Sequence, residues 1–450
     1  MKTIIHQDCC DECKKLIEGI NKKNGTNKVI SLTMETSEKV QLRHLKVKKN
    51  AIQDTLEKAR NKYDESPIEK SSNYHKSKAS SPKQSNDLLK VAEEHTVGMI
   101  AMTMKHNPDT LAIQIRGCRS MWGLCYNEYQ SNGSRSTSEV ISAILEAMEK
   151  HHDKPELAEM AFEALSALSY KDISNVRLII NQGGVHVVAN TIKLHSSNHL
   201  MREKGISCLC SLIYYYSETM NCMSAVENII LELVKSMKEY HDIQSIQVKA
   251  LWAILHLSGN HHDTKLVNAI SSAGVIPLLL LNMGTHEMNS EIQEFCCGII
   301  ANLSVKHYTN RSVLLKKNAA AKIVYAIETH LDNRKVVLAG CEALLNMTTT
   351  DDASILQNTV DIDNKIIDAI IKENAFGLLV DIMKKHSHDS KIQEIACRLL
   401  RSLSFTLHTM KCMSDSVPLT LLLSAKKKFP FECSDHVSRL LRRSKFMNVC

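Results

Sequence analysis

Apolar residues recur along this chain with a helical period, and one block of them returns seven times. Each block closes on a large apolar residue, at Leu124, Leu168, Leu212, Leu257, Leu303, Met347 and Leu403. Successive endpoints lie 44, 44, 45, 46, 44 and 56 residues apart, and the last gap holds an insertion around Asp351–Lys372. Counted back from the endpoint, apolar residues fall at −11, −4 and −3 in nearly every block. With positions 0 and −7 they make one face of an α-helix. Position −7 is always small: Gly117, Ala161, Gly205, Ala250, Cys296, Gly340 and Ala396. A small side chain in the middle of a buried face lets a second helix approach closely. Glycine costs a helix about 1 kcal/mol relative to alanine, so its recurrence marks a place where packing outweighs propensity.

A second apolar helix precedes each block, as in Val140–Met148, Val185–Ile192 and Ala375–Met383. A histidine stands near its end every time, at His106, His151, His195, His241, His286, His330 and His386. Each lies 16 to 18 residues before the closing Leu or Met, so the turn between the two helices has a nearly fixed length. The simplest reading is a polar helix-end residue favoured by the C-terminal dipole. The histidines of neighbouring blocks would stand about 8–10 Å apart, one helix spacing, too far to share a zinc ion. A shorter leading helix is predicted in some blocks, over Asn175–Gln182 before Gly183-Gly184 and over Thr264–Ser271 before Gly274. Glycine there fits a helix end that turns sharply into the next helix.

A two- or three-helix unit of this length cannot bury both its faces alone, and stacking neighbours supplies the missing cover. The period, the Gly183-Gly184-Val185 turn and the segments Ala250–Ser258 and Gly298–Ser304 resemble armadillo repeats. The resemblance runs over roughly 95–405, about 70% of the chain, and a partial eighth unit at His436–Arg443 fits a cap. It implies an all-α fold, a right-handed α-solenoid of the armadillo type. It also implies that the last helix of each unit lines a concave surface that binds proteins or extended peptides. The importin-α type holds its peptide with a ladder of Trp at −5 and Asn at −1. Here Trp occurs at −5 once, as Trp252, and Asn at −1 twice, as Asn302 and Asn346. No continuous ladder exists, which argues against a nuclear-import receptor. Trp252, His256, Asn302 and Asn346 are the candidate partner-binding residues: tryptophan is a frequent binding anchor, and an asparagine amide can pair with a peptide backbone.

Composition narrows the function. Gly and Pro total only 22 residues and aromatics 4%, which disfavours strand-rich folds. Residues 1–90 hold 19 basic against 12 acidic side chains, and 425–450 hold seven against two. The body between is about −5, so neither the basic stripe of a nucleic-acid binder nor the long basic groove of the β-catenin type is expected. The fifteen cysteines mostly occupy apolar helical positions, as Cys208, Cys296, Cys341 and Cys397 do, which fits reduced thiols in the cytosol. The chain shows no signal-peptide core and no apolar run long enough to span a membrane. It contains no Gly-x-Gly-x-x-Gly, no Walker A loop, no Gly-x-Ser-x-Gly and no His-Glu-x-x-His. No enzymatic activity, cofactor, metal or small-molecule substrate is expected.

Four segments follow. Residues 1–62 form a basic extension with short helices, including one over 41–62 that carries Leu42, Leu45, Ile52 and Leu56. Residues 63–88 read as a flexible linker with Ser-Pro pairs at Ser66 and Ser81. Residues 89–424 form the repeat array, and 425–450 a basic end with a capping helix. His6, Cys9, Cys10 and Cys13 make half a zinc motif with no second pair nearby, so incidental cysteines are the default. The function expected is a non-catalytic, cytoplasmic scaffold for a partner protein or peptide, with access to the nucleus open. The alternatives are a regulator of a small GTPase or kinase, or an adaptor whose basic ends (Arg43, Lys46, Lys48, Lys49 and Lys426–Lys428) reach membrane or RNA.

Overall fold

The computed structural model describes residues 97–127, 137–170, 172–195, 197–213, 223–259, 263–305, 307–348 and 357–447. The extension 1–62, the linker 63–88 and Cys9, Cys10 and Cys13 lie outside the described residues. Everything described belongs to the unit Ser81–Cys450. It is all helical, with 21 helices among the described residues, stacked in chain order as eight layers of an armadillo solenoid. The first layer is α1 (97–106) and α2 (Leu111–Asn127); the second is α3 (Thr137–Lys150) and α4 (Pro155–Ser169). The third holds α5 (Ile173–Asn181), α6 (Gly184–Leu194) and α7 (His199–Ile213), and the fourth α8 (Met223–Glu239) and α9 (Gln244–Ser258). The fifth is α10 (Thr264–Ser272), α11 (Val275–Thr285) and α12 (Ser290–Ser304). The sixth is α13 (Tyr308–Lys316), α14 (Ala319–Thr329) and α15 (Arg334–Thr348). The seventh is α16 (Gln357–Lys372), α17 (Ala375–Lys385) and α18 (Ser390–Leu403), and the eighth α19 (Leu407–Ser416), α20 (Leu419–Lys428) and α21 (Pro430–Met447).

The insertion expected at Asp351–Lys372 is mostly the leading helix of its own layer. Residues of α16 pack against α13, α14 and α15, as a leading helix should, and the helix is simply longer than its counterparts.

Within a layer, the small residue at −7 decides how close the last helix comes. The residue thirteen positions before it, on the middle helix, is Met148, Met237, Met283 or Met383 where −7 is Ala or Cys. It is β-branched, Ile192 or Ile327, where −7 is Gly205 or Gly340, whereas Gly117 in the first layer meets Met104, whose Cγ would lie 2.6 Å from an added Cβ. A Cβ added at Gly340 would stand 2.5 Å from Ile327 Cγ1, and one at Gly205 would stand 2.7 Å from Ile192 Cδ1. An unbranched methionine can swing aside from an alanine methyl; an isoleucine with its branch at Cβ cannot.

The turns are equally regular. Leading helices end in a left-handed residue, at Gly183 (φ 79°) and Gly274 (φ 84°) as expected. In the sixth and seventh layers asparagine takes the same role, at Asn318 (φ 53°) and Asn374 (φ 58°). Last helices are capped by a side-chain oxygen of Asn289 or Asp389 on two backbone N–H groups. A buried glutamine at −10 then ties the last helix to the end of the middle one. Gln293 Nε2 donates to the carbonyls of Met283 (3.1 Å) and His286 (3.0 Å), and Gln393 donates to those of Met383 and His386 at 2.9 and 3.1 Å. Gln114 and Gln247 do the same.

The histidine row turns out to join layers rather than merely end helices. Nε2 of His151, His195, His286, His330 and His386 donates to a carbonyl of the preceding layer, on Pro108, His152, His241, Glu287 and Leu331, at 2.7 to 3.0 Å. In two layers the histidine is out of register by one residue. Gln114 and Gln247 bond the carbonyls of Asn107 and Tyr240 where Gln293 bonds that of His286, so Asn107 and Tyr240 hold the cap position beside His106 and His241.

In the third layer −10 is Arg202 instead of Gln, and it is fully buried. It reaches forward to the next layer, with Nη1 3.1 Å from Glu232 Oε1 and 3.0 Å from Ser236 Oγ, and Nη2 2.7 Å from Glu239 Oε2. Its guanidinium lies over the Tyr240 ring at 5.1 Å.

The packing rule at −7 is directly testable. Gly340→Ala should gain helix propensity yet lower stability by about 1–2 kcal/mol, because overpacking costs about 1–3 kcal/mol and propensity returns about 1. Adding Ile327→Met should restore most of the loss in urea titrations; additive losses in the double variant would reject the rule.

Candidate functional site

The last helices α2, α4, α7, α9, α12, α15, α18 and α21 touch one another in unbroken succession and form one continuous wall. Its −5 row runs Arg119, Glu163, Ser207, Trp252, Gly298, Glu342, Arg398. Trp252 is half-buried on α9. The His256 ring packs on it, with centroids 4.0 Å apart and planes tilted by 33°. His256 Nδ1 lies 3.2 Å from the Trp252 carbonyl, which fixes the proton on Nδ1. Desolvation lowers the His256 pKa, and the bond to that carbonyl only partly opposes it. His256 therefore stays neutral at pH 7. The next residue in the row is Gly298, where an added Cβ would stand 2.9 Å from Leu255 Cδ1. The bare backbone there lets α12 close up on α9, with the Leu255 side chain taking the space a side chain at 298 would need.

Asn302 lies one turn beyond Gly298 on α12 and Asn346 on α15, and the amides of both are partly committed. Asn302 Nδ2 donates to Ser258 Oγ (3.0 Å) and Asn346 Nδ2 to the Ala301 carbonyl (3.2 Å), each on the preceding last helix. The same register joins Ser211 to Ser169 (2.8 Å) and Ser402 to Thr348 (2.7 Å). Position −1 is thus a layer-to-layer staple along the wall. In both asparagines it engages the NH2 group, and the amide oxygen is the acceptor left for another molecule.

Charges on the wall are paired between layers in its first half. Lys204 holds Glu159 and Glu163, the latter at 2.8 Å, and Lys249 holds Glu203 at 2.8 Å. Burial opposes ionisation of Glu203, but the hydrogen bonds from Lys249 and Ser245 outweigh it and keep the carboxyl below its usual value. Further along, the balance reverses. Burial raises the Glu294 carboxyl despite Lys335 at 3.7 Å, and raises Glu342 despite Arg398 and Lys391. At these two carboxyls burial outweighs charge pairing. Arg398 and Arg401 on α18 and Arg439 and Arg443 on α21 crowd its far end. Desolvation, and then the neighbouring guanidiniums, lower the Arg401 pKa.

The structure brings Trp252 and His256 into direct contact and puts Asn302 and Asn346 on the two following helices of the same wall. The glutamine row at −10 and the stapling use of −1 went unweighed from sequence, although Gln recurs at −10 in four blocks. Among the described residues no group of three or more His, Cys, Asp or Glu is arranged to hold a metal ion. The described cysteines are free, and burial pushes the thiols of Cys118, Cys208, Cys210, Cys297 and Cys341 up to about 12, so they stay protonated as small core residues.

The raised Glu294 carboxyl has a stability consequence. A carboxyl whose folded pKa lies above its unfolded one costs stability at pH values above both and nothing below the unfolded value, near 4.3. Glu294→Gln should therefore raise the melting temperature at pH 7, with the gain fading as the pH falls below about 4. A gain that persisted at pH 3, or a loss at pH 7, would contradict the assignment.

Comparison with known proteins agrees with this architecture. The family model described as LRRK2 ARM repeat matches residues 129–369. No curated protein sequence matches the chain. Among solved structures, that of a phosphorylation switch controlling the interaction between cadherin and β-catenin is 13% identical, covers 73% of this chain and 66% of that one, and has a TM-score of 0.51. A designed armadillo repeat protein in complex with the peptide (KR)4 is 14% identical, covering 58% and 99%, with a TM-score of 0.48. An engineered protein is 17% identical, covering 59% and 96%, at 0.47. The stacked helical layers, the unbroken wall of last helices and a family match over more than half the sequence have one reading: this chain belongs to the LRRK2 ARM repeat family.

Proposed function

We propose that this chain is a non-catalytic scaffold that grips a partner protein, or an extended segment of one, along the wall of last helices. Trp252 carries this reading. It is a large aromatic side chain only partly buried on the wall, stacked on a neutral histidine and near the two carboxyls, Glu294 and Glu342, that burial raises. Such a residue gains most from being covered. The amide oxygens of Asn302 and Asn346 lie one and two helices further on, where they can accept N–H groups of an extended peptide. The β-catenin structure above is described through its interaction with cadherin, which is the same use of an armadillo surface.

Most wall charges are paired within the array, so the partner is held chiefly by apolar contact and backbone hydrogen bonds. Its affinity should change little as salt rises, whereas capture by anionic lipid or RNA through the basic ends would fall steeply. Trp252→Ala should weaken partner capture by about 2 kcal/mol, roughly thirtyfold, with the array still folded by circular dichroism. The check is quantitative mass spectrometry of proteins retained by the full chain and by the variant across a salt series. Identical retained sets, or sets that vanish together at moderate salt, would refute the proposal.

A further inference from the structure

Charge pairing along the wall of last helices is close in its first half, where Lys204 meets Glu163 and Lys249 meets Glu203 at 2.8 Å. Its far end is different. Arg398 stands on α18 in the −5 row that holds Trp252, three last helices further on, and Arg401 follows one turn later. Arg439 and Arg443 lie on α21, which packs against α18. Among the described residues, these four guanidiniums have only two carboxylates within ion-pair distance. Asp435 takes Arg439 at 2.9 Å and leaves Arg401 Nη1 at 3.9 Å, and Glu394 is 3.8 Å from Arg398. Arg443 instead donates to the Arg401 carbonyl (3.5 Å) and lies over the Phe405 ring at 5.5 Å. Glu342, which also feels Arg398, is matched by Lys391. Four guanidiniums against two carboxylates leave an excess of two positive charges, and all four side chains reach solvent.

Gathering like charges costs the free array energy that a bound anion returns. Two of the guanidiniums are also held in place, Arg439 by Asp435 one turn before it and Arg443 by the face of Phe405. Arginine presents paired N–H groups in a fixed fork that fits the oxygens of a phosphate. A phosphomonoester carries about −1.5 to −2 charges at pH 7 on three oxygens, which matches the excess and spans two helices. A carboxylate brings one charge and two oxygens, and the two carboxylates present already leave the cluster unbalanced. We infer that Arg398, Arg401, Arg439 and Arg443 form a site for a phosphorylated side chain on the protein segment that lies along the wall. The site rests on the scaffold reading for the nature of its partner, and it adds the chemical group which that partner carries at the far end.

The probe is a short Gly-Ser peptide with one central phosphoserine, followed by phosphorus NMR as the full chain is added. It has no apolar residue, so it reports on the arginines without Trp252. The phosphorus resonance should shift saturably, and Trp252→Ala should leave the titration unchanged. Arg401→Gln and Arg443→Gln should each weaken binding by about tenfold. Lys427→Gln, the same loss of charge at an exposed position of α20, should leave it unchanged. Arg401→Gln relieves like-charge crowding, so its melting temperature should hold; if it falls, Arg443→Gln decides. The same peptide with aspartate at its centre should compete at least about tenfold less well. The inference fails if no saturable shift occurs, if Lys427→Gln weakens binding as much as the arginine variants do, or if the aspartate peptide competes equally. It also fails if phosphatidylinositol-phosphate vesicles or single-stranded RNA displace the probe at a lower phosphate concentration than unlabelled phosphopeptide does. Intact phosphopeptide binding beside a Trp252→Ala variant that retains every partner would reject the role of Trp252 and leave the arginine site standing.

Discussion

Two helix backbones cannot come closer than the side chains between them allow, and in this stack one small residue per layer sets that limit. At −7 the last helix meets the middle helix: alanine or cysteine there faces methionine, and glycine faces Ile192, Ile327 or, in the first layer, Met104. The rest of each layer depends on that spacing. With the helices at this separation, the glutamine at −10 reaches two carbonyls at the end of the middle helix, and the cap histidine reaches the layer before. A wider gap would leave buried amide groups without partners, at about 1–3 kcal/mol each. The hydrogen-bonded turns are consequences of close packing as much as supports for it.

The wall inherits its character from the same economy of position. Residues at −1 that could all serve a ligand are partly used to hold neighbouring layers together, through Ser211, Asn302, Asn346 and Ser402. Acidic and basic residues on the first half of the wall are likewise matched across layers. What is left over is local: an indole with its stacked histidine, two amide oxygens and two carboxyls raised by burial. A surface so largely satisfied by itself discriminates by shape more than by charge, because a partner gains little by replacing ion pairs that already exist.

Helix positions and the stacking order were legible from apolar spacing, because burial imposes a period on the chain itself. The glycine turns at Gly183 and Gly274 were legible too. Asn318 and Asn374 were not, since asparagine carries the left-handed conformation with far less consistency than glycine. The apparent insertion before the seventh layer hid a helix because α16 is longer than its counterparts and lacks a matching endpoint. For the candidate site, the row containing Trp252 followed from the armadillo resemblance, which implies that −5 and −1 line the binding surface. The duties of Asn302 and of the histidines did not, because each bonds a residue about 44 positions away and that pairing exists only once layers are in register.

The histidine bonds bear on how the protein responds to damage. Each spans one joint and no more, and the contacts that accompany it are between adjoining layers. Among the described residues no helix returns from far along the chain to lock the whole. A proteolytic nick in a single connecting turn would therefore leave both fragments with intact internal joints, each still resembling a shorter protein of the same kind. Assembly has the mirror-image property: with every closure spanning a similar short stretch, order can begin at any joint and spread outward, without waiting for distant ends to meet.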